Sequence, residues 1–316
     1  MSHSLVSVII PTYNSIEWIK ESIDSVLNQT YKNYELIIID DGSNDGTKDL
    51  IESTYKGELK YYWKANEGLS SARNYGNKLA KGSLIQYLDS DDLLPKDKLK
   101  NHVSFLNNNP DIDVVYSDCK IIKHKFSQTE RDWGRRHLYK NGYIFDSMLE
   151  DPFILPHMCL SKKSFLNKVG DFDVELNSCI DYDFWLRAAL CGGRFHFLDD
   201  GMSVYYRDRS DSISKSGVEY ANNGIFVLNK IQKKIDISDH KKIQKLKADW
   251  VFKRGRSKLL LGNWLSAYFD MITSLIGSRK NLMYKVLVIL FSFMSDPKLI
   301  DDRIKIFSKY IFYKKS

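Results

Sequence analysis

VSVIIPTYN, residues 6–14, is an almost unbroken apolar run that stops at a proline and continues as Thr-Tyr-Asn. Two further runs have the same form, LIIIDDGS at 36–43 and LIQYLDSDD at 84–92. Short apolar runs without alternation are typical of strands covered on both faces, as in a parallel sheet. The sequence therefore predicts three buried parallel strands, each followed at once by an unusual polar cluster.

Helical spacing fills the intervals between these runs. One set of residues repeats at the spacing of a helix face before the second run, and another does so before the third: Ile16, Ile19, Ile23, Val26 and Leu27, then Ala72, Tyr75, Leu79 and Ala80. Alternating strands and helices with right-handed crossovers give an open α/β sheet with helices on both faces. Ligands bind such sheets at the carboxyl ends of the strands, so we expect the three polar clusters to form one site.

Shorter patterns follow in the second half of the chain. Strands are predicted at 114–116, 120–122 and 204–207, and a helix at 181–190. From about residue 218 the pattern is helical. These changes suggest three segments, 1–95, 96–216 and a helical extension over 217–316.

Composition and charge narrow the class of protein. Apolar residues make up 43% and charged residues 28%, an ordinary globular balance. The four cysteines form no C-x-x-C pair, which argues against a thiolate metal site and a disulfide framework. The first residues lack the pattern of a secretory leader, and the longest late apolar run, 286–294, is shorter than a bilayer span. We therefore expect a cytoplasmic protein with reduced thiols.

The charge is concentrated at one end of the chain. Residues 215–316 carry 21 Lys/Arg against 8 Asp/Glu, a net charge of +13, and the whole chain is +7, so residues 1–214 are −6. Two interpretations stay open: a helical extension whose basic residues face solvent, or peripheral attachment to the anionic inner face of the plasma membrane. Nucleic acid is not an expected partner, because the first half has no basic groove pattern.

Each polar cluster has a chemical and a structural interpretation. Asp89 and Asp91, with Asp92 adjoining, offer the hard oxygen ligands that suit Mn²⁺ or Mg²⁺, yet they are also compatible with a solvated turn. Asp41 follows the second strand, where it suits either a turn or a hydrogen bond to a nucleoside. Arg73 suits a diphosphate or an exposed helix face.

Taken together and in order, VSVIIPTYN, DDGS at 40–43, ARN at 72–74 and LDSDD at 88–92 closely resemble glycosyltransferase family 2. The resemblance runs from residue 5 to about 215. It implies the GT-A fold, with 1–95 as the nucleotide-sugar-binding half and 96–216 as the acceptor-binding half. It also implies an inverting transferase that uses a nucleotide-diphosphate sugar and a divalent cation, Mn²⁺ or Mg²⁺.

The same resemblance implies roles for individual residues. Asp91 is implied as the direct metal ligand, and Asp89 as a contact to the ribose or to the surroundings of the metal. The implied donor-binding residues of the first half are Pro11, Thr12, Tyr13, Asn14, Asp41, Arg73 and Asp89.

VGDFD at 169–173 and IDYDFWLR at 180–187 resemble two further segments of the family. The second implies Asp181 as the general base, which suits a direct displacement that needs one proton acceptor and no covalent nucleophile. A helix N-cap is the alternative role for Asp181. His157 and Trp185 are implied to face the acceptor, although a core position is the alternative for His157.

Two positions depart from the family pattern. Ile180 stands where the family has a Glu before the base, which leaves the acceptor class open. In YRDRSDSIS at 206–214, Arg209 replaces a His. Arg207 and Arg209 are suited to pair with a departing diphosphate, but an arginine cannot ligate a cation.

The favoured function is transfer of a hexosyl or hexosaminyl group from a nucleotide-sugar, with a UDP-sugar as the leading donor. The expected acceptor is a glycan or lipid-linked glycan of bacterial cell-surface polysaccharide synthesis. Two rivals remain, a non-catalytic sugar-nucleotide-binding relative and a nucleotidyltransferase. The second lacks support because there is no Gly-rich phosphate loop with a Lys.

Overall fold

The computed structural model describes residues 4–122, 131–132, 139–199, 203–207, 217–277, 285–286 and 288–289. The chain divides into two compact units, Met1–Ser210 and Asp211–Ser316. We call them unit 1 and unit 2.

Unit 1 contains all the described strands. In chain order they are β1 Val6–Thr12, β2 Tyr34–Asp40, β3 Lys60–Trp63, β4 Leu84–Tyr87, β5 Val114–Tyr116, β6 Asp118–Ile122, β7 Arg131–Asp132, β8 Cys159–Lys162, β9 Phe195–Phe197 and β10 Ser203–Arg207. The helices between them are α1 Ile19–Leu27, α2 Thr47–Thr54, α3 Leu69–Leu79, α4 Lys98–Asn108, α5 Phe145–Glu150, α6 Lys163–Val169 and α7 Ile180–Leu190.

The main sheet has seven strands in the order β3-β2-β1-β4-β8-β5-β9. Only β8 runs antiparallel to its neighbours, β4 and β5. A second sheet has the order β10-β6-β7, with β10 parallel to β6. The predicted mostly parallel sheet flanked by helices is confirmed, and it draws strands from both sides of residue 95. The segment boundaries near 95 and 216 stay predictions.

The buried strands form where the apolar runs predicted them. All seven residues of β1 are buried, as are the last five of β2, because helices cover both faces of the sheet. Helix α3 lies so close to β1 that a Cβ on Gly76 would be 2.4 Å from Ile9 Cγ2. Only glycine fits this contact, which lets α3 pack closely on β1.

Strand β3 was missed by the sequence analysis. Its four residues, KYYW, are partly or fully exposed at the edge of the sheet. An edge strand covered on few sides carries no continuous apolar run, so the pattern that found β1 and β2 does not apply to it.

Unit 2 is helical, which confirms the predicted C-terminal α-helical extension. Its helices are α8 Val218–Gln232, α9 His240–Leu260 and α10 Trp264–Gly277. A buried cluster joins α9 to α10 and to Val288, formed by Phe252, Leu259, Ala267, Met271 and Val288. Among the helices of the described ranges, none is both long enough and apolar enough to cross a bilayer.

Candidate active site

The polar clusters meet at one edge of the main sheet. Thr12 at the end of β1 is the register partner of Asp40 at the end of β2, and Asp41 N donates to Thr12 O at 2.8 Å. On the other side of β1, Leu88 N donates to Ile9 O at 3.0 Å, so Asp89 begins where β4 has ended. The loops after β1, β2 and β4 therefore share one edge, as parallel strands require.

Arg73 joins two carboxylates that are far apart in the sequence. Its guanidinium is fully buried, and Nη2 donates to Asp89 Oδ1 while Nη1 donates to Asp181 Oδ1, both at 2.7 Å. The cation also lies over the ring of Phe172, 5.2 Å from its centroid. Burial alone would lower the pKa of Arg73, but Asp89 and Asp181 raise it, so the side chain is a permanent cation. It fixes the start of α7 against the end of β4.

Asp181 lies in the first turn of α7 and is partly open to solvent, with 29% of its side chain exposed. Burial raises the pKa of its carboxyl group, while the Arg73 cation opposes the shift and the Asp89 carboxylate adds to it. The N-cap residue of α7 is Cys179, so Asp181 is not the cap. Within the part of the chain that the structure describes, no donor is bonded to Asp181 Oδ2.

Asp92 and His157 form a buried pair next to this group. His157 Nδ1 lies 2.8 Å from Asp92 Oδ2, and both side chains are 1% exposed. Burial alone would lower the pKa of His157, but the Asp92 carboxylate raises it above its ordinary value. His157 Nε2 lies 3.8 Å from the thiol of Cys119, itself buried. The pair braces the turn that carries Asp89 and Asp91.

Three potential metal ligands converge here. Ligand atoms of Asp89, Asp92 and His157 all lie within 4.8 Å of one another. Two carboxylates and an imidazole are a donor set that suits a divalent cation. The sequence predicted Asp89 and Asp91 as the ligands, so Asp89 belongs to both sets, and Asp91 lies outside the convergent group.

The carboxylate that follows β2 holds neighbouring loops in place. Asp41, almost fully buried, accepts hydrogen bonds from Gly68 N at 2.7 Å, Glu67 N at 3.1 Å and Lys64 Nζ at 2.6 Å. These donors occupy both oxygens of Asp41. A nucleoside bound there would therefore share the carboxylate with the Lys64, Glu67 and Gly68 donors. No sequence pattern indicated Lys64, since it follows the edge strand β3, which has no apolar run.

The β1 loop presents one exposed ring. Pro11 and Thr12 are buried in the strand, whereas Tyr13 is half exposed at the site edge. Asn14 has a left-handed backbone, with φ 47°, and its N–H donates to Ser43 Oγ at 2.9 Å. This bond ties the loop after β1 to the loop after β2, and of the four predicted residues Tyr13 is the one placed to stack on a ligand.

The expected acceptor contacts need correction. Trp185 is fully buried, packed against Phe184 and Phe195 with centroids 5.2 and 6.0 Å away. His157 is buried behind Asp92. Both side chains lie in the core and not at the surface. Neither is therefore placed to contact an acceptor in this structure.

Strand β10 runs beside the acidic segment after β4. Leu93 N donates to Tyr205 O and Tyr205 N donates to Leu93 O, each at 3.0 Å. Arg207 ends this strand, so the backbone before the 208–216 segment lies next to the acidic turn. The side chain of Arg207 and all of Arg209 lie outside the described residues, and their proposed contacts with a diphosphate stay predictions.

Comparison with known proteins identifies the family. Residues 7–170, more than half of the chain, match the model of Glycosyl transferase family 2. The chain belongs to glycosyl transferase family 2. Asp41, Arg73 and Asp89 lie within the matched part, whereas Asp181 lies beyond it.

Curated relatives agree with this family assignment. The family 2 chain is 35% identical over 191 residues to an uncharacterised glycosyltransferase of Rickettsia typhi, covering 58% of each chain. It is 32% identical over 222 residues to one of Rickettsia conorii, covering 67% of this chain and 35% of the relative. Thus the chain spans only part of these relatives.

Solved structures show the same fold. The S. aureus TarS fragment 1–349 in complex with UDP-GlcNAc superposes with a TM-score of 0.65 at 19% identity, covering 95% of this chain and 91% of that one. Mannosyltransferase PcManGT from Pyrobaculum calidifontis, in complex with GDP-Man and Mn²⁺, gives 0.59 at 17% identity, with coverage of 93% and 84%. These neighbours confirm the predicted GT-A-type architecture of the family 2 chain.

Proposed function

We propose that this family 2 member transfers a sugar from a nucleotide-diphosphate sugar to an acceptor hydroxyl with inversion at the anomeric carbon. The observation that carries the proposal is the Asp89–Arg73–Asp181 cluster at the carboxyl edge of the sheet. It unites a donor-side carboxylate with a partly exposed carboxylate of raised pKa, the combination that a base-assisted displacement needs.

Asp181 is the proposed base. Arg73 holds Oδ1 of Asp181, which leaves Oδ2 to accept the proton of the acceptor hydroxyl. As that proton moves, the hydroxyl oxygen bonds to the anomeric carbon and the bond to the diphosphate oxygen breaks. The nucleoside diphosphate leaves with the electron pair, and inversion follows because one displacement occurs without a covalent enzyme intermediate.

Arg73 is proposed as the positioning residue for this base. The buried cation fixes the carboxylate orientation through one 2.7 Å bond and keeps Asp181 within reach of the Asp89 side of the site. Its positive charge also favours the ionised form of Asp181, which must be unprotonated to act as a base.

A divalent cation, Mn²⁺ or Mg²⁺, fits the acidic residues. We propose that Asp89 and Asp91 hold it, as the family resemblance implies. His157 is less suited as a ligand, because its Nδ1 is already engaged by Asp92 at 2.8 Å. When bound, such an ion neutralises the charge that develops on a departing diphosphate. The pair of Asp92 and His157 would then orient the turn that carries the ligands.

The donor and acceptor are proposed from chemistry and from relatives. Tyr13 and Asp41 would contact the nucleoside, and a UDP-sugar is the leading donor, in keeping with TarS bound to UDP-GlcNAc. The proposed acceptor is a glycan or lipid-linked glycan of cell-surface polysaccharide synthesis. In support, the chain is 40% identical over 105 residues to a putative teichuronic acid biosynthesis glycosyltransferase of Bacillus subtilis, TuaG, although this covers only 32% of the chain.

A thermal-shift panel tests the donor half of the proposal. Nucleoside diphosphates and nucleotide-sugars are added with and without Mn²⁺, since a ligand at 100 times its Kd stabilises the native state by about 2.7 kcal/mol. We expect one nucleoside series to raise the melting temperature, and to do so only with the metal. A flat response across the panel would contradict the proposed donor site.

A further inference from the structure

Helix α10 carries an apolar face that the described residues of unit 2 leave exposed. Leu265, Phe269 and Ile272 are 90%, 72% and 52% exposed, and they follow one another at helical spacing. Leu261, in the turn before α10, continues the row at 69% exposure, and Trp264 flanks it at 42%. We call these five residues the α10 face. Soluble surfaces rarely expose so many large apolar side chains together.

The opposite side of α10 already anchors the helix. Ala267 and Met271 are fully buried against α9. Asp270 is also buried there, where it accepts from Arg254 Nε at 2.8 Å and lies 2.8 Å from Lys258 Nζ. Because these contacts hold α10 in place, the α10 face is not needed to fold the helix onto its neighbour.

The positive charge of the surrounding sequence favours an anionic partner for this face. Residues 240–277 hold eight Lys/Arg against two Asp/Glu, and the region 215–316 has a net charge of +13. A second copy of the chain would bring the same positive charge to the contact, which disfavours self-association through this face. An anionic lipid surface supplies both an apolar layer for the α10 face and negative charge for α9.

We propose that the α10 face docks unit 2 onto an anionic bilayer, with α10 lying in the interface rather than crossing the membrane. The inference rests on the proposed function, in which a lipid-linked acceptor would be presented at such a surface. Trp, Leu and Phe on one side of a helix are typical of an interfacial helix. Helix α10 itself carries no Lys or Arg, and the basic residues lie on α9, against which it packs.

The test is flotation of the full chain with vesicles of phosphatidylcholine alone or mixed with phosphatidylglycerol. The test variant is Leu265→Ser with Phe269→Ser, and the matched control is Ile237→Ser, since Ile237 is 84% exposed near the other end of α9. We expect the wild type and the control to float with anionic vesicles. The double variant should bind them at least tenfold more weakly, and neutral vesicles should recover little protein.

Several results would overturn the proposal. The first is equal binding of the double variant and the wild type to anionic vesicles, and the second is no binding by the wild type. The third is a wild-type dimer that the double variant converts to a monomer, which would assign the face to a second copy.

Unchanged melting temperatures establish that both variants are folded, as expected for exposed positions. The donor thermal shift, measured without vesicles, reports separately on the proposed transferase site.

Discussion

Replacing Arg73 with methionine removes a fully buried cation from between Asp89 and Asp181. Methionine retains much of the side-chain volume, so the main loss is the charge and its two 2.7 Å hydrogen bonds. Breaking a buried ion pair from one side costs about 3–5 kcal/mol. Asp89 and Asp181 are about one-third exposed, so water solvates them in part, and we expect a value near the lower limit, about 3 kcal/mol.

The assay is thermal unfolding of the full chain at pH 7, followed by near-ultraviolet circular dichroism. For a unit of this size, 1 kcal/mol corresponds to about 2–4 °C. Arg73→Met should therefore lower the melting temperature of unit 1 by about 6–12 °C. A loss of less than about 2 °C would refute the view that Arg73 neutralises two carboxylates in a poorly solvated site.

A double-mutant cycle separates this charge effect from altered packing. Asp181→Asn removes one of the two carboxylates. The change that it causes in the free energy of unfolding should therefore be more favourable in the Arg73→Met background, where Asp181 has lost its cation, than in the wild type. Residues in one ion-pair network show coupling of about 0.5–3 kcal/mol. Equal effects of Asp181→Asn in both backgrounds would show that the two side chains are not coupled.

Three further predictions follow from other contacts. Burial would raise the pKa of Glu35, but hydrogen bonds and the Lys60 cation outweigh it and lower the pKa from 4.5 to about 2. The stabilisation from Glu35 is therefore present above pH 4.5 and is lost as the pH falls through 2. In urea titrations, Glu35→Gln should cost about 1–2 kcal/mol at pH 7 and much less at pH 2, and an equal cost at both would contradict this. Gly76→Ala should destabilise unit 1 by about 1–3 kcal/mol in the same titrations, because its Cβ would lie 2.4 Å from Ile9, and a neutral effect would show that α3 shifts freely. Asp91→Asn should abolish the Mn²⁺-dependent part of the donor thermal shift while His157→Gln retains it, and the reverse result would make His157 the ligand.

The sequence could predict those elements whose residue pattern is determined by one constraint, such as burial on both faces of a sheet. β1, β2 and β4 are buried on both faces, so their composition alone marks them as parallel strands. β3 was missed because an edge strand has no such constraint. Unit 2 was recognised as helical from spacing, whereas the α10 face became visible only once the packing of α10 against α9 was known.

The candidate site shows the same limit. Arg73, Asp89 and Asp181 were each expected in the site, but their joint ion pair spans 108 residues of sequence and has no local signature. The burial of Trp185 and the pairing of His157 with Asp92 likewise depend on long-range packing. Residue type and motif therefore indicated which groups take part, and tertiary contacts determine which of them touch.

Asp181→Asn gives the most direct test of the central claim. Turnover of the nucleotide-sugar identified by the thermal-shift panel is measured as release of nucleoside diphosphate, alongside donor affinity for the same variant. A general base contributes about 10²–10⁴-fold, so kcat should fall by that factor while the donor Kd stays within about threefold. If kcat remains within a few-fold of the wild type, Asp181 is not the base and the proposed mechanism is wrong.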